Sequence, residues 1–247
     1  MRYVVGLDGC RAGWYAVLLS PAGEVLGCDI VPEIRELLAR RPAPAMIGID
    51  IPVGLSEGPA RACDQEARAL LGRPRASSVF PAPIRPALKA RSYRDALMLT
   101  RRRTGRGISR QAFGILPKVR EVDHLMTPWR QDRMREVHPE VCFWALNGGR
   151  ALRHGKRTAF GRRERLKLLR RRFPAEDFAG RLNRWPRRAV AVDDVLDAFV
   201  VAWTAAQVLR GRYERIPEQP LRDARGLRME IVYPSRRAAA GPRPPRG

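Results

Sequence analysis

Arg2-Tyr3-Val4-Val5-Gly6-Leu7-Asp8-Gly9-Cys10-Arg11-Ala12-Gly13-Trp14-Tyr15-Ala16-Val17-Leu18-Leu19 sets the fold class. An apolar run containing β-branched residues ends in Asp8-Gly9. A link rich in turn residues (Gly9-Cys10-Arg11-Ala12-Gly13) leads to a second apolar run, Trp14 to Leu19. A third run, Glu24 to Val31, follows Ser20-Pro21-Ala22-Gly23. Links this short between strands imply an antiparallel three-strand meander. Ile34 to Arg41 carries Ile34, Leu37 and Leu38 at helical spacing. Ala45-Met46-Ile47-Gly48-Ile49-Asp50-Ile51-Pro52 then reads as a buried strand, parallel to the first because a helix intervenes.

Three meandering strands, a helix and a returning parallel strand make the opening order of a ribonuclease H-like α/β fold. The expected architecture is a mixed sheet with helices on both faces and a helical insertion at about residues 55–133. Within the insertion, Arg61 to Leu71 is a helix stopped at Gly72. Ser92-Tyr93-Arg94-Asp95 has capping-box spacing and leads into a helix over Ala96 to Arg103. Gly72 to Pro86 reads as a loop near the active face. Beyond the insertion, Arg135 to His138 is a short strand, and Pro139 opens a helix through Leu146 that Gly148-Gly149 stops. Gly161 to Phe173 reads as a basic helix, Asp193 to Leu209 as a long helix, and Met229 to Tyr233 as a last strand. The domain is expected to occupy residues 1–234. The acid-free, arginine- and proline-rich stretch 235–247 is expected to be a disordered tail.

The net charge is +23, and only Lys89, Lys118, Lys156 and Lys167 among the basic residues are lysine. GC-rich coding exchanges lysine for arginine but does not create a positive excess. A polyanionic partner does account for it, with nucleic acid the leading class. Four cysteines and three histidines are scattered without zinc-site or disulfide spacing. Any metal is therefore expected on carboxylates, which points to Mg²⁺ or Mn²⁺. No apolar run reaches the roughly 18 residues of a membrane span. Nor does the start of the chain have the pattern of a signal peptide, so a cytoplasmic location is expected. Oligomeric state is not legible.

Asp8 ends one apolar strand and Asp50 interrupts another. A single aspartate in such a place is ordinarily a turn cap or an arginine partner. Two at the ends of neighbouring parallel strands suggest a ligand site, because open α/β sheets bind at strand carboxyl ends. Asp193-Asp194-Val195-Leu196-Asp197 supplies a third element. Capping explains Asp193 well and Asp194 in part, but it explains Asp197 poorly, since Ala198 to Leu209 is uncharged and reads as buried. Asp194 and Asp197 share one helix face. Such a pair needs a cation, either arginine or a metal.

Four segments resemble those of the domain-of-unknown-function family 429, described as predicted nucleases of ribonuclease H-like fold. They are Gly6-Leu7-Asp8-Gly9-Cys10-Arg11-Ala12-Gly13-Trp14, Gly48-Ile49-Asp50-Ile51-Pro52, Glu136-Val137-His138-Pro139-Glu140 and Asp193-Asp194-Val195-Leu196-Asp197-Ala198. The Asp-x-x-Asp-Ala helix start is also similar to that of Holliday-junction resolvases. The resemblance spans about Arg2 to Tyr233. It implies Asp8 as a metal-bridging ligand, Asp50 as the second acid, and Asp194 or Asp197 completing the shell. Glu140 is an additional candidate ligand, ranked below the aspartates because it also suits a helix first turn. His138 reads as a packing or hydrogen-bonding residue. Further segments resembling the family (61–64, 77–80 and 118–123) are expected to line the groove.

The expected function is metal-dependent phosphodiester hydrolysis in DNA or RNA by two ions roughly 4 Å apart. Arg11, Arg61, Lys118, Arg162, Arg163 and Lys167 are expected nucleic-acid contacts. Two alternatives are an actin- or sugar-kinase-like phosphotransferase or ATPase, and a non-catalytic nucleic-acid-binding protein. The first lacks a recognisable second copy of the fold. The second leaves the acids unexplained, because acids repel phosphate unless a metal intervenes.

Overall fold

In the computed structural model, residues 2–236 and Ala238 are described. Strands β1 (Val4–Cys10), β2 (Gly13–Leu19) and β3 (Val25–Val31) form the meander, with β1 pairing β2 and β2 pairing β3, both antiparallel. Helix α1 (Ile34–Ala39) returns the chain to β4 (Met46–Ile49), which pairs parallel to β1. Four helices follow: α2 (Ala62–Arg75), α3 (Tyr93–Thr104), α4 (Arg110–Gly114) and α5 (Leu116–Leu125). Then β5 (Met134–Glu136) joins β4 in parallel, closing a five-stranded mixed sheet of order β3-β2-β1-β4-β5. The fold is α/β, consistent with the ribonuclease H-like arrangement read from the sequence.

The remaining helices are α6 (Pro139–Leu146), α7 (Ala159–Arg170), α8 (Phe178–Asn183) and α9 (Val192–Leu209). Strand alternation divides the core. Val5 and Leu7 of β1 pack with residues of α1 and α5 on one face, whereas Val4 packs with α6 and α9 on the other. The helix stop at Gly72 holds, since that residue sits at φ 54° and ends the regular turns of α2. The Ser92–Asp95 capping box is also formed. Several boundaries differ from expectation, among them α7, which runs Ala159–Arg170 rather than Gly161 to Phe173. Helix α9 starts at Val192 with Ala191 as its cap residue, so Asp193 is not the cap. The last strand is β7 (Ile231–Pro234), and its partner β6 (Tyr213–Ile216) was not expected. That segment is four residues long, and Glu214 and Arg215 are exposed. It has too little apolar pattern to be seen.

The expected tail, 235–247, lies mostly outside the described residues. Its first residue is anchored, as Ser235 donates its backbone N–H to the Arg212 carbonyl at 3.0 Å.

Glycine decides how α9 meets the sheet. Gly6 and Gly48 stand opposite each other on β1 and β4. A Cβ on Gly6 would lie 2.1 Å from the Ala202 nitrogen and 2.5 Å from the Ala198 oxygen. One on Gly48 would lie 2.9 Å from Val201 Cγ1 and 3.0 Å from the Val201 oxygen. The helix backbone therefore rests directly on two strands. Gly6→Ala should cost about 3 kcal/mol or more, because backbone cannot yield as a side chain can. Gly27→Ala on β3 meets nothing within 4 Å and should be near neutral. Urea midpoints for the two variants check this; equal midpoints would contradict it.

Candidate metal centre

Two residues beyond the paired glycines, on the same face, the strands carry Asp8 and Asp50. The backbone N–H of Asp50 continues the ladder by donating to the Leu7 carbonyl at 3.0 Å. Helix α9 descends over this end of the sheet and contributes Asp197 one turn before Val201. Asp8, Asp50 and Asp197 each offer a carboxylate oxygen, all within 4.8 Å of one another. Asp8 is 6% exposed and Asp197 1%, while Asp50 is half-buried. Three of the four expected aspartates thus converge.

Asp194 stands beside them with a different task. Its carboxylate accepts the Ala191 backbone N–H at 2.8 Å and so fixes the first turn of α9. Burial, first of all, pushes its carboxyl up to about 6. It is a capping residue at the edge of the cluster, while Asp197 lies within it.

Lys156, which sequence reasoning missed, reaches the cluster from the loop before α7. Its Nζ donates to Asp197 Oδ2 at 2.7 Å and lies 3.9 Å from Asp193 Oδ2. A signal was present: Lys156 is one of four lysines in a chain whose other basic residues are arginine. Burial acts to lower the Lys156 ammonium, but Asp197, Asp8 and Asp50 outweigh it and raise it. It stays charged.

One ammonium does not neutralise three carboxylates. Burial, then the charges of Asp50 and Asp197, hold Asp8 well above the usual carboxylate range. Burial pushes Asp50 up to about 8 despite the opposing pull of Lys156, with Asp197 and Glu136 adding to the rise. Without a further cation the cluster must retain protons. His138, the last residue before α6, is pushed down to about 4 by burial and Lys156. It is neutral at physiological pH, and its Nδ1 is buried with no hydrogen-bond partner among the described residues. The three carboxylates could hold a metal ion, which would relieve their mutual repulsion.

Three expected site residues do other work. Glu140 is not in the cluster. It receives a two-pronged ion pair from fully buried Arg165, one contact being 2.6 Å. Arg61 is buried and does not face solvent, so it is not available to nucleic acid. It bridges Asp64 (2.6 Å) and Glu136 (2.8 Å), and donates to the carbonyls of Val53 and Gly54. Glu136 also accepts the Val53 N–H at 2.7 Å. This staple holds the loop that follows Asp50. Lys118 lies 4.5 Å over the Trp14 ring and donates to the Gly13 carbonyl, so it braces the β1–β2 turn.

The remaining expected contacts stand at the surface or near it. Arg11 is exposed on the β1–β2 turn, Arg163 and Lys167 are exposed on α7, and Arg162 is half-buried. Arg163, Lys167, Arg170 and Arg171 line a surface hollow of about 350 Å³, and Lys167 and Arg171 border a second of about 340 Å³. The segment 118–123 is mostly internal: Glu121 accepts from Trp14 Nε1 and the Ile34 N–H, and Asp123 pairs with Arg85.

A family model described as protein of unknown function (DUF429) matches residues 6–222. The chain belongs to the DUF429 family. No curated protein and no solved structure matches it. The part of the chain shared with DUF429 includes Asp8, Asp50, Lys156 and Asp197, so the whole cluster falls within the family's span. That family description carries no activity, and the chemistry must come from the site.

Two outcomes are expected. Asp50, at about 8, keeps its proton in the metal-free fold but loses it on unfolding. The folded state then binds more protons, so stability falls as pH rises toward 8. Glu136, pushed up to about 7 by burial, adds in the same direction. His138, depressed to about 4, acts oppositely below its ordinary 6.5. Between about pH 6.5 and 8 the Tm without metal should therefore drop. Mg²⁺ should raise it more at pH 8 than at 6.5, because metal and protons compete. A flat Tm profile insensitive to Mg²⁺ would count against the site. Separately, Arg61→Ala should cost about 3–5 kcal/mol in chemical denaturation, since it strands two buried carboxylates.

Proposed function

We propose that this DUF429 chain is a metal-dependent nuclease that hydrolyses phosphodiester bonds in DNA or RNA. The observation that carries the proposal is the deficit of positive charge at Asp8, Asp50 and Asp197. Those acids come from two adjacent strand ends and a helix packed across them, so their spacing is set by rigid elements. Bound among them, Mg²⁺ or Mn²⁺ would supply Lewis acidity and a water made nucleophilic at neutral pH.

The protein's own groups supply the rest. Asp8, Asp50 and Asp197, whose oxygens lie within 4.8 Å of one another, would hold the metal. The three carboxylates would act as ligands rather than as proton carriers. Lys156 holds a positive charge at the lip of the cluster, where a phosphate oxygen of the substrate would meet it. Arg163, Lys167, Arg170 and Arg171 on and just after α7 bind the strand beyond the cleavage point through its phosphates. The net charge of +23 serves the same partner. No described helix is long and apolar enough to cross a membrane. We place the enzyme in the cytoplasm, where nucleic acid and Mg²⁺ occur together.

A sugar-kinase-like phosphotransferase would close two copies of the fold over a nucleotide. Among the described residues there is one five-stranded sheet and a two-stranded ribbon, which favours the nuclease.

Incubation with single-stranded, duplex and branched DNA and RNA should give cleavage that depends on Mg²⁺ or Mn²⁺ and stops with chelator. Asp8→Asn should lower the rate about a thousandfold, the worth of several kcal/mol of charge stabilisation. Cleavage surviving in the Asp8→Asn, Asp50→Asn double variant would overturn the assignment.

A further inference from the structure

The loop that delivers Lys156 to the carboxylates also presents an aromatic surface outward. Phe160 is 62% exposed on the first turn of α7. It is not isolated. The His154 ring lies against it, with centroids 5.3 Å apart and planes tilted by 31°. The Arg163 guanidinium lies 5.8 Å from its centroid.

The platform is held firmly. Thr158 caps α7 by accepting the Gly161 N–H at 3.0 Å, and its own N–H and hydroxyl both donate to the Gly155 carbonyl. Gly161 packs so tightly there that a Cβ would lie 2.1 Å from the Gly155 oxygen. Arg165, anchored on Glu140, donates to the His154 carbonyl at 3.3 Å. The Glu140–Arg165 pair thus holds the turn that carries both Lys156 and the rings.

We propose that Phe160, backed by His154 and flanked by Arg163, stacks an unpaired nucleobase of the substrate strand, so that the site acts on single-stranded or locally unpaired nucleic acid. The inference rests on the nuclease reading for the position of the scissile phosphate. One residue, Gly155, separates His154 from Lys156, whose Nζ reaches Asp197 Oδ2 at 2.7 Å. The loop that carries His154 thus also delivers Lys156 to Asp197, which puts the ring pair and the carboxylates on one connected segment. A base offers its face to a ring only when it is unpaired, and Arg163 adds charge for the adjoining phosphate. Among the described residues, another exposed aromatic with a cation beside it is Trp129, near Arg130, which lies before β5 rather than on the loop that carries Lys156. It takes no part.

The test is fluorescence anisotropy of the full chain with a labelled single strand and with its duplex, in Ca²⁺ buffer, alongside cleavage in Mn²⁺. The wild type should favour the single strand. Phe160→Ala should weaken single-strand binding about 5- to 100-fold, change duplex binding less than twofold, and Phe160→Trp should restore the single-strand affinity. Unchanged single-strand binding in Phe160→Ala, or equal losses on strand and duplex, would overturn the proposal. Phe160-dependent strand binding without metal-dependent cleavage would instead sustain this proposal and sink the nuclease reading. Metal-dependent cleavage with Phe160→Ala silent in binding would do the reverse.

Discussion

Helix α9 can lie on β1 and β4 only because Gly6 and Gly48 present no side chain to it. That contact sets the height of the helix above the sheet, and with it the distance between Asp197 and the two strand-end aspartates. A larger residue at either glycine would lift the first turns of α9. Asp197 would then leave the reach of Asp8 and Asp50. The packing of an apolar helix and the geometry of an ionic site are here the same constraint. The uncharged run after Asp197 drives the helix into the core, and the carboxylate is carried in with it. Asp194, holding the Ala191 N–H, fixes where the helix begins.

Among the described residues, three carboxylates share one cation at this cluster, a larger deficit than at Asp64 and Glu136, Glu140 or Glu230. Asp64 and Glu136 share Arg61, Glu140 has Arg165, and Glu230 is met by Arg135, Arg215 and Arg228. In a chain so rich in arginine, a partner for a buried carboxylate is easily supplied. At Asp8, Asp50 and Asp197 the pairs formed among the described residues supply only Lys156. Burying three carboxylates against one ammonium is unfavourable unless protons or a metal complete the balance. The raised carboxyl of Asp50 shows how the metal-free protein answers that imbalance. A divalent cation would answer it without protonation.

The sequence made the meander, the returning strand and the long helix readable because each has a clear apolar period and short, glycine-marked links. It placed Asp8 and Asp50 for the same reason: a charge at the end of a buried strand stands out. Glu140 and Arg61 were misplaced because one sequence cannot reveal which charges meet. Their partners, Arg165 at 25 residues' distance and Glu136 at 75, are fixed by tertiary packing. Lys156 was hidden in a basic stretch where nothing but its being a lysine marked it. Strand β6 escaped because four residues with two exposed charges carry no period. The Phe160 surface escaped because exposure, unlike apolarity, is a property of the fold.

If the three aspartates hold a divalent metal, a crystal structure with Mn²⁺ soaked in will show it. Anomalous density bounded by carboxylate oxygens of Asp8, Asp50 and Asp197, with Lys156 moved off Asp197 or turned aside, is the predicted result. A well-ordered cluster with no anomalous peak, and with Lys156 still bonded to Asp197 at saturating Mn²⁺, would contradict the account.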